Sequence, residues 1–282
     1  MSSSLMAMAW FLGVDIGSGS SKGVLILNTE PQAYHWIPSG FNYREAAQQL
    51  RELLLAKVGI SSEEVTNTVA TGYGAASASY SDLNVADIRC CARGINYLFP
   101  LVRTVIDVQG MSTQVIRVNG EGRVINFAVS ERCAAGSGRF LNIMANVLRI
   151  DLNDVGLLSL KSRNPVNFTT GCAVFGESEA ISRVSEGASK EDILAGVHKA
   201  LADKISGLVS RVKLVMECAI SGGGGLNVGL VKSLEEKLQI ELQVPPEPQF
   251  VNALGAAVIA STTTPISEVN YRFKPMDEDA WP

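Results

Sequence analysis

Two cysteines stand where a thiolate would be stabilised. Cys133 lies in Glu131-Arg-Cys-Ala-Ala-Gly-Ser-Gly-Arg-Phe140 and Cys172 in Thr169-Thr-Gly-Cys-Ala-Val-Phe-Gly-Glu-Ser-Glu179. After the first, Phe140, Met144 and Leu148 recur at i, i+4 and i+8, which predicts an amphipathic helix over 139–148. After the second, residues 173–184 also read as a helix. Unpaired N–H groups and the positive dipole end at a helix N-terminus favour an anion. A thiolate is such an anion, and so is an iron–sulfur cluster held by thiolates. One chain offers two such ligands where a cubane cluster takes four, so a two-fold dimer would supply the other pair.

The elements around these cysteines read as a nucleotide-binding frame. Two segments share one form, Phe11-Leu-Gly-Val-Asp-Ile-Gly-Ser-Gly-Ser-Ser-Lys-Gly-Val-Leu-Ile-Leu27 and Thr104-Val-Ile-Asp-Val-Gln-Gly-Met-Ser-Thr-Gln-Val-Ile-Arg-Val118. Each is an apolar strand, an aspartate, a glycine- or serine-bearing turn and a second apolar strand. Such turns let backbone N–H groups and hydroxyls approach phosphate oxygens. Gly17, Ser18, Gly19, Ser20 and Ser21, with Gly110 and Ser112, are therefore candidate nucleotide contacts. Asp15 and Asp107 are the candidate catalytic carboxylates, placed to hold a Mg²⁺-bound water or to order the turn. Lys22 either contacts phosphate or stands as an exposed cation on the second strand. Two such hairpins suggest duplicated α/β domains of the ribonuclease-H-like type around a shared cleft, the plan of actin, sugar kinases and heat-shock chaperone ATPases.

A third element agrees. Residues 215–230 read as a short strand, four glycines at 222–225 and a helix from near Leu226. Four consecutive glycines are expected where backbone must come very close to something, here adenine and ribose. Gly222, Gly223, Gly224, Gly225 and Asn227 join the candidate contacts. Pro245-Pro-Glu-Pro248 is a stiff connector, and the small-residue helix from Asn252 suits a close, sliding hinge contact. The first domain is expected over 10–103, the second with the cysteine motifs over 104–251, a helix over 252–261 returning to the first, and an irregular tail over 262–282.

Bulk composition excludes other classes. The 282 residues carry a net charge of −4, with no basic stripe interleaved with aromatics, which argues against nucleic acid. No apolar run approaches the ~18 residues of a membrane span, and the start lacks a basic signal-peptide region. Five cysteines, an odd number, argue against a disulfide framework and for a reduced cytoplasm. Cys90, Cys91 and Cys218 read as packing thiols, and His35 and His198 as isolated residues. Glu177 and Glu179 are either nucleotide-side contacts or dipole partners of a helix's first turn.

Together these motifs resemble the ATP-dependent electron activators of 2-hydroxyacyl-CoA dehydratases and benzoyl-CoA reductases. The resemblance runs from about Leu12 to Ala260 and rests on Val14-Asp-Ile-Gly-Ser-Gly-Ser-Ser-Lys22, Ala70-Thr-Gly-Tyr-Gly74, Ile88-Arg-Cys-Cys-Ala-Arg-Gly94, Gly222-Gly-Gly-Gly225 and the two cysteine motifs. It implies ATP/ADP, Mg²⁺ and one [4Fe–4S] cluster held by Cys133 and Cys172 of two subunits. It also implies a second activator subunit, homo- or heteromeric, reduced ferredoxin or flavodoxin as donor, and an iron–sulfur dehydratase or reductase component as acceptor. Gly136 and Gly138, one turn beyond Cys133, would then link nucleotide to cluster.

The second hairpin departs from the family. Where the family carries Asp-Ile-Gly-Gly-Gln-Asp-Ser-Lys, this chain reads Asp107-Val-Gln-Gly-Met-Ser-Thr-Gln114, so polar positions have become Met111, Ser112 and Gln114. Those groups would position metal and attacking water. Either the chain hydrolyses ATP differently or it is the less active half of a heterodimer; residues 158–166 resemble the benzoyl-CoA reductase D-subunit branch. The alternatives are a small-molecule kinase of the same fold, which leaves the cysteines unexplained, and a nucleotide-binding subunit with little turnover.

Overall fold

The computed structural model describes residues 8–130, 136–168 and 173–263; the expected tail falls almost wholly outside them. The first half contains β1 (Trp10–Ile16), β2 (Ser20–Leu27), β3 (Glu30–Pro38), α1 (Tyr43–Val58), β4 (Val65–Thr71) and β5 (Leu83–Asn84). α2 (Asp87–Leu98) leads to β6 (Thr104–Val108), β7 (Thr113–Val118) and β8 (Val124–Val129). Then come α3 (Gly138–Leu148), α4 (Val155–Ser159), α5 (Ala173–Ser185), α6 (Lys190–Val212), β9 (Cys218–Ser221), α7 (Val228–Leu238) and α8 (Val251–Thr262).

The strands form two sheets, ordered β3-β2-β1-β4-β5 and β8-β7-β6-β9. Each begins as an antiparallel three-stranded meander and gains a parallel strand beside its first strand. The fold is thus an α/β pair of equivalent sheets, as the repeated hairpins predict. In the first, Asp15 pairs across β1–β2 with Lys22 and across β1–β4 with Thr71. In the second, Asp107 pairs with Gln114 and with Ser221 in the same two directions.

Local chemistry accounts for the elements. α1 starts at Asn42, whose side chain accepts from Glu45 N, and stops at Gly59 in the left-handed region. Its buried face, Ala46, Ala47, Leu50, Leu54 and Leu55, covers one side of the first sheet together with Leu12, Val14 and Ile16. The second sheet buries Ile106, Val108 and Val115 against Phe140 and Met144 of α3 and Val197, Leu201 and Ile205 of α6. α8 is apolar nearly all round because it is buried nearly all round, packing Ala253, Leu254 and Ala257 against Val24 and Ile26 of the first sheet. α2 lies on the second sheet through Cys91, Ala92 and Ile95. The two helices cross where Gly94 abuts the Val251 carbonyl and Gly255 abuts the Cys90 carbonyl; a Cβ at either position would collide with backbone.

Candidate functional site

The first hairpin holds its aspartate in an ion pair. Asp15, almost buried near the end of β1, faces the Lys22 ammonium at 3.8 Å. Burial raises the Asp15 pKa; Lys22 counteracts this, and the Asp87 carboxylate adds to the rise. Lys22 Nζ also donates to the Ser20 carbonyl at 3.2 Å. The turn is fixed from behind: Ser39 Oγ donates to the Gly17 carbonyl at 2.6 Å, and Ser21 Oγ lies 2.9 Å from Ser39 Oγ. Ser21 is thereby spent inside the fold, whereas Ser18 and Ser20 are half-buried and Gly19 faces open space. Ser39, which sets this turn, carries no sequence signal beyond its hydroxyl.

The second hairpin holds its aspartate with neutral groups. Asp107 is fully buried; its Oδ1 accepts from Ser221 Oγ at 2.9 Å and its Oδ2 from Gln109 Nε2 at 2.6 Å. Burial pushes its pKa up to about 6, the Gln109 and Ser221 hydrogen bonds pull it down, and Asp87 and Asp15 add to the rise. Asp87, the first residue of α2, accepts from Gln114 Nε2 at 2.7 Å and from Gln109 Nε2 at 3.4 Å. Three carboxylates, from β1, α2 and β6, therefore lie near enough for Asp87 to raise the pKa of the other two. Asp87, Gln109 and Ser221 are not among the candidates of the sequence reading: Asp87 carries no motif, and Gln109 and Ser221 stand inside motifs whose other residues draw the attention. Gly110 and Met111 are exposed and Ser112 is half-buried, so this turn also opens to the cleft.

The glycine run packs where it must. Gly222 has φ +76°, and a Cβ there would meet Asp107 Oδ1 and collide with the Val108 carbonyl; Gly72 (φ +90°) meets Asp15 in the same way in the first half. Gly222 N donates to Pro248 O at 2.9 Å, Gly224 abuts Val108, Gly225 abuts Pro248, and Gly223 faces open space. The following helix starts at Val228, not near Leu226, because a 3₁₀ turn over Gly223–Leu226 intervenes and Asn227 is the cap, accepting from Leu230 N at 3.0 Å.

Cys133 and Cys172 lie outside the described residues. The helices that follow them in sequence are described, and α3 and α5 pack together with Gly176 close against the Phe140 ring. The first donors of α3 are already used: Gly138 N donates to Gln109 O at 2.8 Å, Arg139 N to Gly110 O at 3.1 Å, and Ser137 Oγ to Gly110 O at 3.2 Å. Gly136 is buried beside Ser130. Of the described side chains of α5, only Gly176 and Ala180 are buried; Phe175 is 66% exposed and Ile181 53%. Glu177 is exposed and Glu179 pairs with Arg183 at 3.6 Å. The segment before Cys172 is anchored by Asp192, whose Oδ1 accepts from Ser162 Oγ, Arg163 N and Asn164 N.

Other singled-out residues sit apart. Cys90, Cys91 and Cys218 are buried, and burial pushes the Cys90 and Cys218 thiols up to about 12. His198 is fully buried in α6 with no hydrogen-bond partner among the described residues for either ring nitrogen. Among the described residues no three His, Cys, Asp or Glu side chains form a ready metal cage, and no helix is long and apolar enough to cross a membrane.

Two equivalent sheets, each with an aspartate-bearing turn after its first strand, define the actin and sugar-kinase fold class. The chain belongs to the BadF/BadG/BcrA/BcrD ATPase family, whose model matches residues 12–260. It is 39% identical over 250 residues to the 2-hydroxyisocaproyl-CoA dehydratase activator of Clostridioides difficile, covering 88% of this chain and 94% of that protein. A solved structure of the Clostridium difficile activator of that dehydratase with bound ADPNP superposes with a TM-score of 0.85 at 37% identity, covering 90% of this chain and 94% of the other. The benzoyl-CoA reductase D-subunit of Thauera aromatica is 31% identical over 261 residues, covering 87% of this chain and 91% of that protein.

Proposed function

We propose that this chain is an ATP-driven electron activator that passes low-potential electrons to an acyl-CoA dehydratase or reductase. The observation that carries the reading is the contact between the second nucleotide turn and α3. Gln109 O and Gly110 O of the turn accept the first donors of the helix that follows Cys133. A nucleotide seated on that turn would thus act on the cysteine helices directly.

The residues fit the implied groups. Asp15, Asp87 and Asp107 bring three carboxylates to a cleft where Lys22 already serves Asp15. Mg²⁺ binds through one or two carboxylates, waters and the nucleotide's own oxygens, so no protein cage is needed. Asp15 would hold a metal-bound water, and Asp107 would orient and deprotonate the water that attacks the γ-phosphate. Gly17, Ser18, Gly19, Ser20, Lys22, Gly110 and Ser112 would hold phosphates, and Gly222 to Gly225 with Asn227 the nucleoside. For the cluster, the fit rests on α3 and α5 packing through Gly176 and Phe140 and on the uncovered apolar side of α5, which a second subunit would cover. Held by Cys133 and Cys172 of two subunits, the cluster would supply a one-electron store whose potential answers to nearby charge, hydrogen bonds and exposure. Raising an electron by ~300 mV costs about 7 kcal/mol.

Anaerobic purification with iron and sulfide counted per dimer tests this. About four irons per dimer are expected, lost in Cys133→Ser and Cys172→Ser while ATP binding persists. A colourless, iron-free dimer would overturn the reading. The second reading, a nucleotide-binding subunit with little turnover, is favoured by one observation: Gln109 covers Asp107 Oδ2. ATP turnover under reducing conditions separates the two.

A further inference from the structure

We propose that Cys91 and Ser221 are positioning residues for Asp107, forming a buried hydrogen-bond chain that ties the orientation of this carboxylate to α2. The inference rests on the reading of Asp107 as the group that orients the attacking water. Cys91 Sγ lies 3.2 Å from Ser221 Oγ, and Ser221 Oγ donates to Asp107 Oδ1 at 2.9 Å. The single hydroxyl proton of Ser221 goes to the carboxylate, so its oxygen accepts and the Cys91 thiol must donate. All three side chains are fully buried. Burial pushes the Cys91 thiol well up, which keeps it protonated and a donor throughout the working pH range.

The chain grips one oxygen only. Oδ1 is held from the core through Ser221, and the Gly222 backbone closes the space beside it. Oδ2 is held by Gln109, a half-buried residue on the turn that opens to the cleft. Removing the Gln109 amide would therefore free Oδ2 for a water while Oδ1 stays aimed by the core. The aim depends on α2, because Cys91 follows Cys90, whose carbonyl lies under Gly255 at the crossing with α8. A shift of α2 against the second sheet would change the Cys91–Ser221 separation first. The charged groups facing Asp107 are Asp87 on α2 and Asp15 on β1, with Lys22 committed to Asp15. Hydrogen-bond donors are thus what holds this carboxylate ionised, and each lost donor disfavours the charged form.

The test is ATP hydrolysis by the full-length chain at saturating MgATP between pH 5 and 8, with KM for ATP measured alongside. Cys91→Ala should lower kcat about fivefold, the rate equivalent of one neutral hydrogen bond, leave KM unchanged and move the acidic limb to higher pH. Ser221→Ala should act in the same direction and lower kcat about tenfold. Cys91→Ser, which keeps a donor in place, should regain most of the rate and the original limb; it carries the test should either alanine variant fail to fold. A packing role alone would lower thermal stability and leave kcat and its pH limb as in the parent. That result beside an inactive Asp107→Asn overturns the inference and leaves Asp107 as the base. An active Asp107→Asn, or a parent without turnover, overturns both.

Discussion

The two halves of the molecule are built on the same hairpin and differ in what stands opposite the aspartate. In the first, Lys22 faces Asp15 across β1–β2. In the second, Gln114 occupies the equivalent register position and reaches Asp87, while Asp107 is left to Ser221 and Gln109. An ammonium fixes a carboxylate's charge at short range, but an amide only solvates it. The first half therefore has a charge-compensated carboxylate suited to a permanent electrostatic task. The second has an uncompensated one whose protonation and exposure can change with its surroundings. Both halves use one scaffold, and the residue opposite the aspartate distinguishes them.

Five substitutions probe that contrast. Asp107→Asn should cut turnover about a thousandfold, the scale of losing a general base, whereas Asp15→Asn should chiefly weaken MgATP affinity; equal losses of kcat would end the distinction. The halves also differ in their histidines, since His35 is partly exposed and His198 fully buried. Burial lowers the His198 pKa to about 4 from an ordinary 6.5. Its neutral form thus contributes about 3 kcal/mol of stability above pH 6.5, lost as pH falls through the folded value. Urea unfolding at pH 7.5 and pH 4 should show this loss in the parent and a smaller one in His198→Leu. Lys22→Gln, which makes the first hairpin like the second, should weaken ATP binding about tenfold by titration calorimetry; unchanged affinity would confine Lys22 to Asp15. The reverse change, Gln114→Lys, sets a cation on Asp87 and should lower the Asp107 pKa, raising turnover at pH 6 by up to about twofold, since Asp107 with a pKa of about 6 is half ionised there.

The frame of the site is legible in sequence because it is local. Strand, aspartate, turn and strand are consecutive residues, and the four glycines announce a close approach on their own. Ser39, Asp87 and Ser221 are not legible, since each reaches its aspartate or turn from another part of the chain and looks ordinary where it stands. Gln114 reads as a loss against the family pattern; in three dimensions its amide holds Asp87, while the amide of Gln109 holds Asp107. The helix after the glycine loop begins slightly later than the pattern predicts because Asn227, a polar residue among apolar ones, is its cap. His198 reads as an isolated residue, yet its ring packs against α7 at Gly229.

The crossing of α2 and α8 has a mechanical consequence. At Gly94 and Gly255 the two helices touch backbone to backbone, with no side chains between them. A rotation of either half against the other would take this crossing as its axle, since main-chain contact sets the helix separation there. Displacement grows with distance from that point, so small rotations there become large excursions at the far ends of the sheets. A single methyl group at either glycine would prise the bearing apart and spoil the alignment of both aspartates at once.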